Sequence, residues 1–231
     1  MRLDRDPTAS TRSSPAEFIL ANTRAKCTML VPEVTLHLAD VLYPLWHLTE
    51  EELTAEEVPP PFWAFAWAGG QALARYILDH PQIVRSRSVL DFASGSGLAA
   101  IAAARSGAAS VVASDIDPLA REACRLNALL NGVRLEVSAR DWTTSAATAS
   151  QEFDVILAGD VFYEEPMAGV TEQWLRAATA RGLTVLVGDP RRTYFPRHGI
   201  EKLTGYAVPV SRELEDSDIR GASVWRFLEA E

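Results

Sequence analysis

From position 88 onward, short solid apolar runs alternate with longer stretches in which apolar residues recur at helical spacing. Val89, Leu90 and Phe92 make a first buried strand, followed by the small-residue loop Ala93-Ser94-Gly95-Ser96-Gly97 and an Ala-rich helix ending near Gly107. Ser110–Ser114 is a second strand. Asp117-Pro118 caps and opens a helix that stops at Asn131-Gly132. Val133–Ser138 predicts a third strand and Phe153–Ala158 a fourth, the latter apolar enough for both faces of a parallel sheet to be covered. A helix follows Pro166 with Val170, Trp174 and Leu175 facing inward, and Leu183–Gly188 is the fifth strand. After a short helix over about Tyr194–Leu203, Tyr206–Glu213 and Ala222–Leu228 have no helix between them. They predict an antiparallel hairpin closing the sheet through the turn Leu214–Gly221.

The part before position 88 is less regular. Ser14-Pro15-Ala16-Glu17 is a capping box with proline in the first turn, predicting a helix to about Cys27. Val34, Leu36 and Leu38 alternate briefly, then the pattern drifts, as expected of an irregular appendage packed on a main domain. Pro59-Pro60-Pro61 stiffens the chain. Four aromatics, Phe62, Trp63, Phe65 and Trp67, lead into Gly69-Gly70 and a helix over Gln71–His80. The division expected is a disordered tail over 1–13, an extension over 14–58 and the main domain over 59–231.

Candidate chemistry gathers at the ends of the strands, where open α/β sheets bind ligands. In the glycine loop, Ala93, Ser94, Gly95 and Gly97 let backbone approach a ligand and leave first-turn N–H groups free to bond it. Ala100 stands where a dinucleotide-binding fingerprint has its third glycine. Asp115 lies about twenty residues beyond the loop, where a carboxylate can take both hydroxyls of a ribose. Asp141-Trp142, after the third strand, is either a cap and a core tryptophan or a contact to an adenine ring. Trp67 and Gly69 are either core or the wall of a pocket beside the loop.

The net charge of −9 over 231 residues argues against broad nucleic-acid binding and suits a basic partner, such as a lysine-bearing protein surface; it also serves solubility. Glu50, Glu51, Glu52, Glu56 and Glu57 are either a solvated face or a guide for a cationic substrate. Cys27 and Cys124 form no pair, as in a reduced cytoplasmic setting. No apolar run approaches the roughly 20 residues of a membrane span. The histidines at 37, 47, 80 and 198 have no ligand spacing, so no metal is expected.

Five alternating strands and helices closed by an antiparallel hairpin resemble the seven-strand S-adenosylmethionine-dependent methyltransferases. That resemblance implies the strand order 3-2-1-4-5-7-6, with strand 7 antiparallel. D-F-A-S-G-S-G is similar to that family's cofactor loop, with Ala93 in place of the usual first glycine. By the same resemblance Asp91 holds the loop or the cofactor's amino group, Asp115 takes the ribose, Ile116 beside it is a further cofactor-binding position, and Asp141-Trp142 takes the adenine side. Asp160-Val161-Phe162-Tyr163 resembles the D-x-x-Y motif of protein-lysine methyltransferases. It implies that Asp160 orients the amine beside the cofactor and that Tyr163 walls the lysine channel. The segments FWAFAWAGGQALARYIL, FILANT…VPEVTLHLAD and GDPRR-x-Y-F resemble the lysine methyltransferases of the electron transfer flavoprotein β subunit. That implies this flavoprotein subunit as partner, neither nucleic acid nor membrane, and a monomer. Other readings are a methyltransferase of the same fold acting on another protein or a small molecule, and a non-catalytic cofactor-binding protein.

Overall fold

The computed structural model describes residues 14–40, 60–144, 152–212 and 217–229. The glutamates at 50–57 and most of the loop over 143–150 lie outside the described residues, as does the expected tail.

Helix α1 (Pro15–Asn22) starts where its capping box predicts. The Glu17 N–H bonds the Ser14 hydroxyl, and the Glu17 carboxylate accepts the Ser14 N–H. It stops at Asn22 rather than near Cys27, because Thr23 is extended (φ −132°, ψ 168°). Arg24–Cys27 is a strand, β1, paired antiparallel with β2 (Thr35–Leu38). The appendage is therefore an ordered helix and hairpin over these residues. Its docking is specific: the N–H groups of Thr35 and His37 bond the side-chain oxygens of Asn131 and Asn127, at 3.0 and 2.7 Å. Ile19, Leu36 and Val34 are fully buried beneath it, each stabilising the fold by about 1.5–3 kcal/mol of apolar transfer.

Helix α2 (Ala68–Asp79) begins three residues before Gln71. The sheet then runs β3 (Ser88–Phe92), α3 (Leu98–Arg105), β4 (Ser110–Ser114), α4 (Pro118–Leu130), β5 (Glu136–Ser138), β6 (Val155–Gly159), α5 (Met167–Thr179), β7 (Thr184–Asp189), β8 (Ile200–Pro209) and β9 (Ile219–Phe227). These seven strands are ordered β5-β4-β3-β6-β7-β9-β8, parallel from β5 to β7, with β9 antiparallel to both neighbours. This is the order and sense that the resemblance implied.

Three local expectations fail for identifiable reasons. No helix covers 194–203, since from Ile200 the chain pairs with β9, Ile200 opposite Phe227 and Lys202 opposite Trp225. Strand β5 is only three residues long, because the Val133 N–H turns back to the Ala128 carbonyl at 3.1 Å to finish α4. Val170 is 45% exposed and does not face inward, while Trp174 and Leu175 do.

The two faces of the sheet are covered differently. On one, α2 and α3 pack small and branched side chains (Ala72, Leu73, Ile77, Ala100, Ile101) on Val89, Leu157 and Leu186. On the other, α5 closes over an aromatic layer containing Trp142, Phe153, Phe162, Trp174, Phe195 and Trp225.

Candidate functional site

Loop residues after β3, β4, β6 and β7 meet along one edge of the sheet, in two halves. The first is built on β3. Beyond Phe92, Ala93 (φ 51°) and Gly95 (φ 51°) adopt left-handed backbone. For Ala93 that conformation costs about 1 kcal/mol, so the departure from glycine is accommodated in the turn rather than avoided. Gly97 (φ 79°) leads into α3. A Cβ there would lie 3.1 Å from the Cys124 sulfur, so α4 packs directly on the loop.

The loop is held from below. The Cys124 thiol donates to the Gly95 carbonyl at 3.3 Å and touches the Ser94 hydroxyl at 3.3 Å, while the Asn127 amide donates to the Ser96 carbonyl at 2.8 Å. Since the Asn127 oxygen accepts the His37 N–H, one fully buried amide ties the N-terminal hairpin to the loop. Burial pushes the Cys124 thiol up, so it stays a neutral structural group.

Two carboxyls flank the loop. Asp91 accepts the Ala100 N–H at 2.9 Å, capping α3, which has no side-chain cap of its own. Burial raises it to about 8, and the charge on Asp115 adds to the rise. Asp115 accepts the Gly95 and Asp117 N–H groups at 2.9 and 3.0 Å; burial raises it too, against those bonds. Ile116, beside it, holds an apolar side chain 73% exposed. A strained glycine loop, two carboxyls driven upward and an uncovered apolar side chain fit a ligand that brings positive charge, a ribose and a flat ring. S-adenosylmethionine has all three.

Asp141 and Trp142 sit differently from the adenine-side expectation. Trp142 is 2% exposed, its indole N–H bonds the Ser114 hydroxyl at 3.0 Å, Phe153 packs edge-on, and the Arg140 guanidinium covers the ring at 3.9 Å. Its side chain packs in the core. Asp141 is exposed and its Oδ1 accepts both the N–H and hydroxyl of Thr143. This is an Asx turn that fixes the chain after β5.

The second half stands on β6 and β7, where α2 crosses them almost in backbone contact. A Cβ on Gly69 would lie 2.2 Å from the Gly188 carbonyl oxygen and 2.6 Å from an Asp160 oxygen; one on Gly188 would lie 2.1 Å from the Gly69 oxygen. Gly69 is thus buried in this crossing, where close packing requires glycine. The crossing delivers the start of α2 to Asp160, whose Oδ2 accepts the Gly70 N–H at 2.8 Å. Asp160 is left-handed (φ 56°) and 8% exposed. Its Oδ1 takes two donors from Arg192, Nε at 3.0 Å and Nη2 at 2.7 Å.

Arg192 and Asp189 are the site residues that sequence reasoning missed. Asp189 is fully buried at the end of β7; its Oδ1 accepts the Arg192 N–H at 2.7 Å and its Oδ2 has no partner. Burial raises it to about 7, and the neighbouring Asp160 adds to the rise. The Arg192 guanidinium lies 5.4 Å from the centre of the Trp67 ring. A signal for the pair was present: adjacent strands both end in Gly-Asp, at 159–160 and 188–189.

Aromatic side chains join the halves. Tyr163 is 39% exposed and packs on Phe62, ring centres 5.3 Å apart; Phe62 packs edge-on to Trp67, whose indole N–H bonds the Phe62 carbonyl. A Cβ on Gly95 would lie 3.8 Å from the Trp63 Cα, so this aromatic segment also borders the glycine loop. Burial, then the charges of Glu164 and Asp115, raise the Tyr163 phenol, against a smaller lowering by Arg192. It is neutral at physiological pH and feels groups from both halves.

Comparison with known proteins supplies the context. Residues 72–188 match the ribosomal protein L11 methyltransferase (PrmA) family. The chain is 37% identical to the electron transfer flavoprotein beta subunit lysine methyltransferase of Xenopus laevis over 227 residues, covering 96% of this chain and 90% of that one. It is 38% identical to the Homo sapiens protein of the same name over 216 residues, covering 91% and 80%. Among solved structures, a T. thermophilus 16S rRNA N2 methyltransferase in complex with AdoMet and guanosine is similar in fold, with a TM-score of 0.52 at 20% identity over 71% of this chain and 44% of that one.

Proposed function

The chain belongs to the electron transfer flavoprotein β-subunit lysine methyltransferases, and from that premise we propose that it methylates lysine side chains of this flavoprotein subunit. S-adenosylmethionine is the cofactor, and it supplies a methyl group made electrophilic by its bond to a sulfonium sulfur. The observation that carries the reading is the placement of Asp160 and Tyr163, across an aromatic wall from the glycine loop, at the carboxyl ends of adjoining strands.

The residues divide the work. The loop from Ala93 to Gly97 presents backbone, with Asp91 and Asp115 placed to meet the positive charge and the hydroxyls of the cofactor, and Ile116 to cover its ring. Tyr163 and Phe62 form one side of a lysine channel. Lysine is nearly all protonated at neutral pH, with an unperturbed pKa of about 10.4, and must lose a proton to become a nucleophile. The Asp160 carboxylate is the charged group placed to orient that nitrogen, with water taking the proton. The net charge of −9 favours a basic substrate surface.

The match to ribosomal protein L11 methyltransferases supports a second reading, in which the protein substrate is ribosomal. One experiment separates the two. Purified enzyme is given radiolabelled S-adenosylmethionine and a cell lysate, then labelled bands are identified by mass spectrometry. Label on lysine of the flavoprotein β subunit is expected; label on a ribosomal protein would replace that partner, and label only in small molecules would overturn protein methylation.

A further inference from the structure

We propose that Arg192 is a positioning residue that masks Asp160, so that the substrate lysine is received as a neutral amine rather than trapped as an ammonium ion. The inference rests on the reading of Asp160 as the carboxylate nearest the lysine nitrogen.

The geometry of the carboxylate leads to it. Both Asp160 oxygens are committed, Oδ2 to the Gly70 N–H and Oδ1 to two N–H groups of one guanidinium. The pair is shielded, with the two side chains 8% and 17% exposed, so its attraction is little diluted by solvent. Arg192 is also held from the other side. Its N–H bonds Asp189, the preceding Arg191 is left-handed (φ 64°), and its guanidinium lies against Trp67. This is a clamp built into the turn after β7, and it sets the Arg192 cation directly on Asp160, with the buried Asp189 beneath.

The chemistry explains why such a clamp is useful. An unmasked carboxylate in a shielded site attracts a nearby ammonium ion strongly. It would strengthen binding of the protonated lysine and oppose the proton loss that frees its lone pair. With Arg192 in place that field is largely cancelled, while the oxygens remain fixed in space. The other charged groups facing this point are few. Glu164 follows Tyr163, Asp115 acts from the end of β4, and Asp189 lies beneath Arg192. Arg191 is turned away onto Trp225 at 5.3 Å. The segment over 60–71, including the start of α2, carries no charged side chain.

The test uses the full chain with N-acetyl-lysine amide as probe, followed by NMR titration at pH 7 and pH 10, so that it does not depend on turnover. Wild type is expected to bind the probe more tightly at pH 10, as amine. Arg192→Gln should lose that preference and bind the probe about equally at pH 7 and pH 10, since with a pKa of about 10.4 most of the probe is still ammonium at pH 10. Arg192→Lys, which keeps the charge but not the two-donor grip, should behave like wild type in its pH preference and secures the comparison if the glutamine variant folds poorly. In the lysate assay, Arg192→Gln should lower kcat at pH 7.5 by about tenfold and move the rising limb of its pH profile up by about one unit. A glutamine variant that keeps the wild-type preference for pH 10 would overturn the role of Arg192, as would a lysine variant that loses it. Loss of the proposed reaction itself shows separately, as wild type that labels no lysine.

Discussion

Strands β3 and β6 each send a carboxylate to the third residue of a helix that lacks its own side-chain cap: Asp91 bonds the Ala100 N–H of α3, and Asp160 the Gly70 N–H of α2. A negative group is favoured at a helix N-terminus, so both placements help fix a helix on the sheet. They differ in what opposes the charge. Asp160 is gripped by Arg192, whereas Asp91 is buried next to Asp115 and driven toward its neutral form. The cofactor half therefore has negative charge in reserve for a cationic ligand. In the other half, Asp160 has its counter-charge in place before any ligand arrives. A loop that binds a sulfonium and an ammonium group gains from uncompensated carboxyls, while a channel that must release a proton from lysine does not.

The packing beneath the two halves is also unequal, and glycine substitutions break the comparison most sharply. Gly69→Ala would put a methyl 2.2 Å from a backbone oxygen of β7, with no flexible side chain to yield. A loss of more than about 3 kcal/mol is expected, or failure to fold. Gly97→Ala meets the Cys124 sulfur at 3.1 Å with φ at 79°; a loss of about 1–2 kcal/mol is expected, with the fold retained. Urea denaturation of both variants checks the order. A Gly69→Ala protein as stable as wild type would remove the close crossing on which the position of Asp160 depends.

That crossing shows why one half was legible in the sequence and the other was not. From β3 to β4 the partners are close in the chain: Ser110–Ser114 is the strand the pattern predicts, and Asp115 bonds Gly95 across a single helix. The Asp160 environment is assembled from residues near 69, 160 and 190, and no local pattern announces that Gly69, Gly159 and Gly188 will pack together. Spacing could place Asp160 at a strand end but could not show that Arg192 holds it. The same limit explains the helix expected over 194–203. A short apolar stretch there is ambiguous until β9 pairs with it. Trp142 stayed open for another reason, since an aromatic after a strand-end aspartate suits a ring contact and a core equally well.

The charge contrast has its own pH signature, smaller than the packing effect. Asp91 has a folded pKa of about 8, above its value in an unfolded chain. Below about pH 4 both states hold the proton. As pH rises, the unfolded chain ionises first, so the stabilising contribution fades and is gone once pH passes the folded value near 8. Asp91→Asn should reduce the fall in melting temperature between pH 4 and 8, leaving the slope due to Asp189, which is raised to about 7, and to Asp115 and Asp117, which burial also raises. The same variant should weaken the pH dependence of cofactor affinity over this range, where wild type tightens as Asp91 ionises, and leave the part due to Asp115. A wild-type slope retained in full would mean that Asp91 is charged in the free protein, and the contrast with Asp160 would fall.

The smallest effect on the fold is expected at Ile116, which sharpens the comparison by separating binding from stability. Its side chain is 73% exposed beside Asp115, so it adds little to the core of the free protein. Ile116→Ala should leave stability within about 0.5 kcal/mol of wild type. If the side chain covers the cofactor ring on the loop's side of the site, its loss weakens cofactor binding by about 1–2 kcal/mol, or roughly five- to thirtyfold in Kd. Calorimetric titration with S-adenosylmethionine and thermal unfolding on the same samples read the two quantities independently. Unchanged affinity would place the ring elsewhere. With Trp142 buried, the adenine side would then have to be found on other residues that follow β4 and β5.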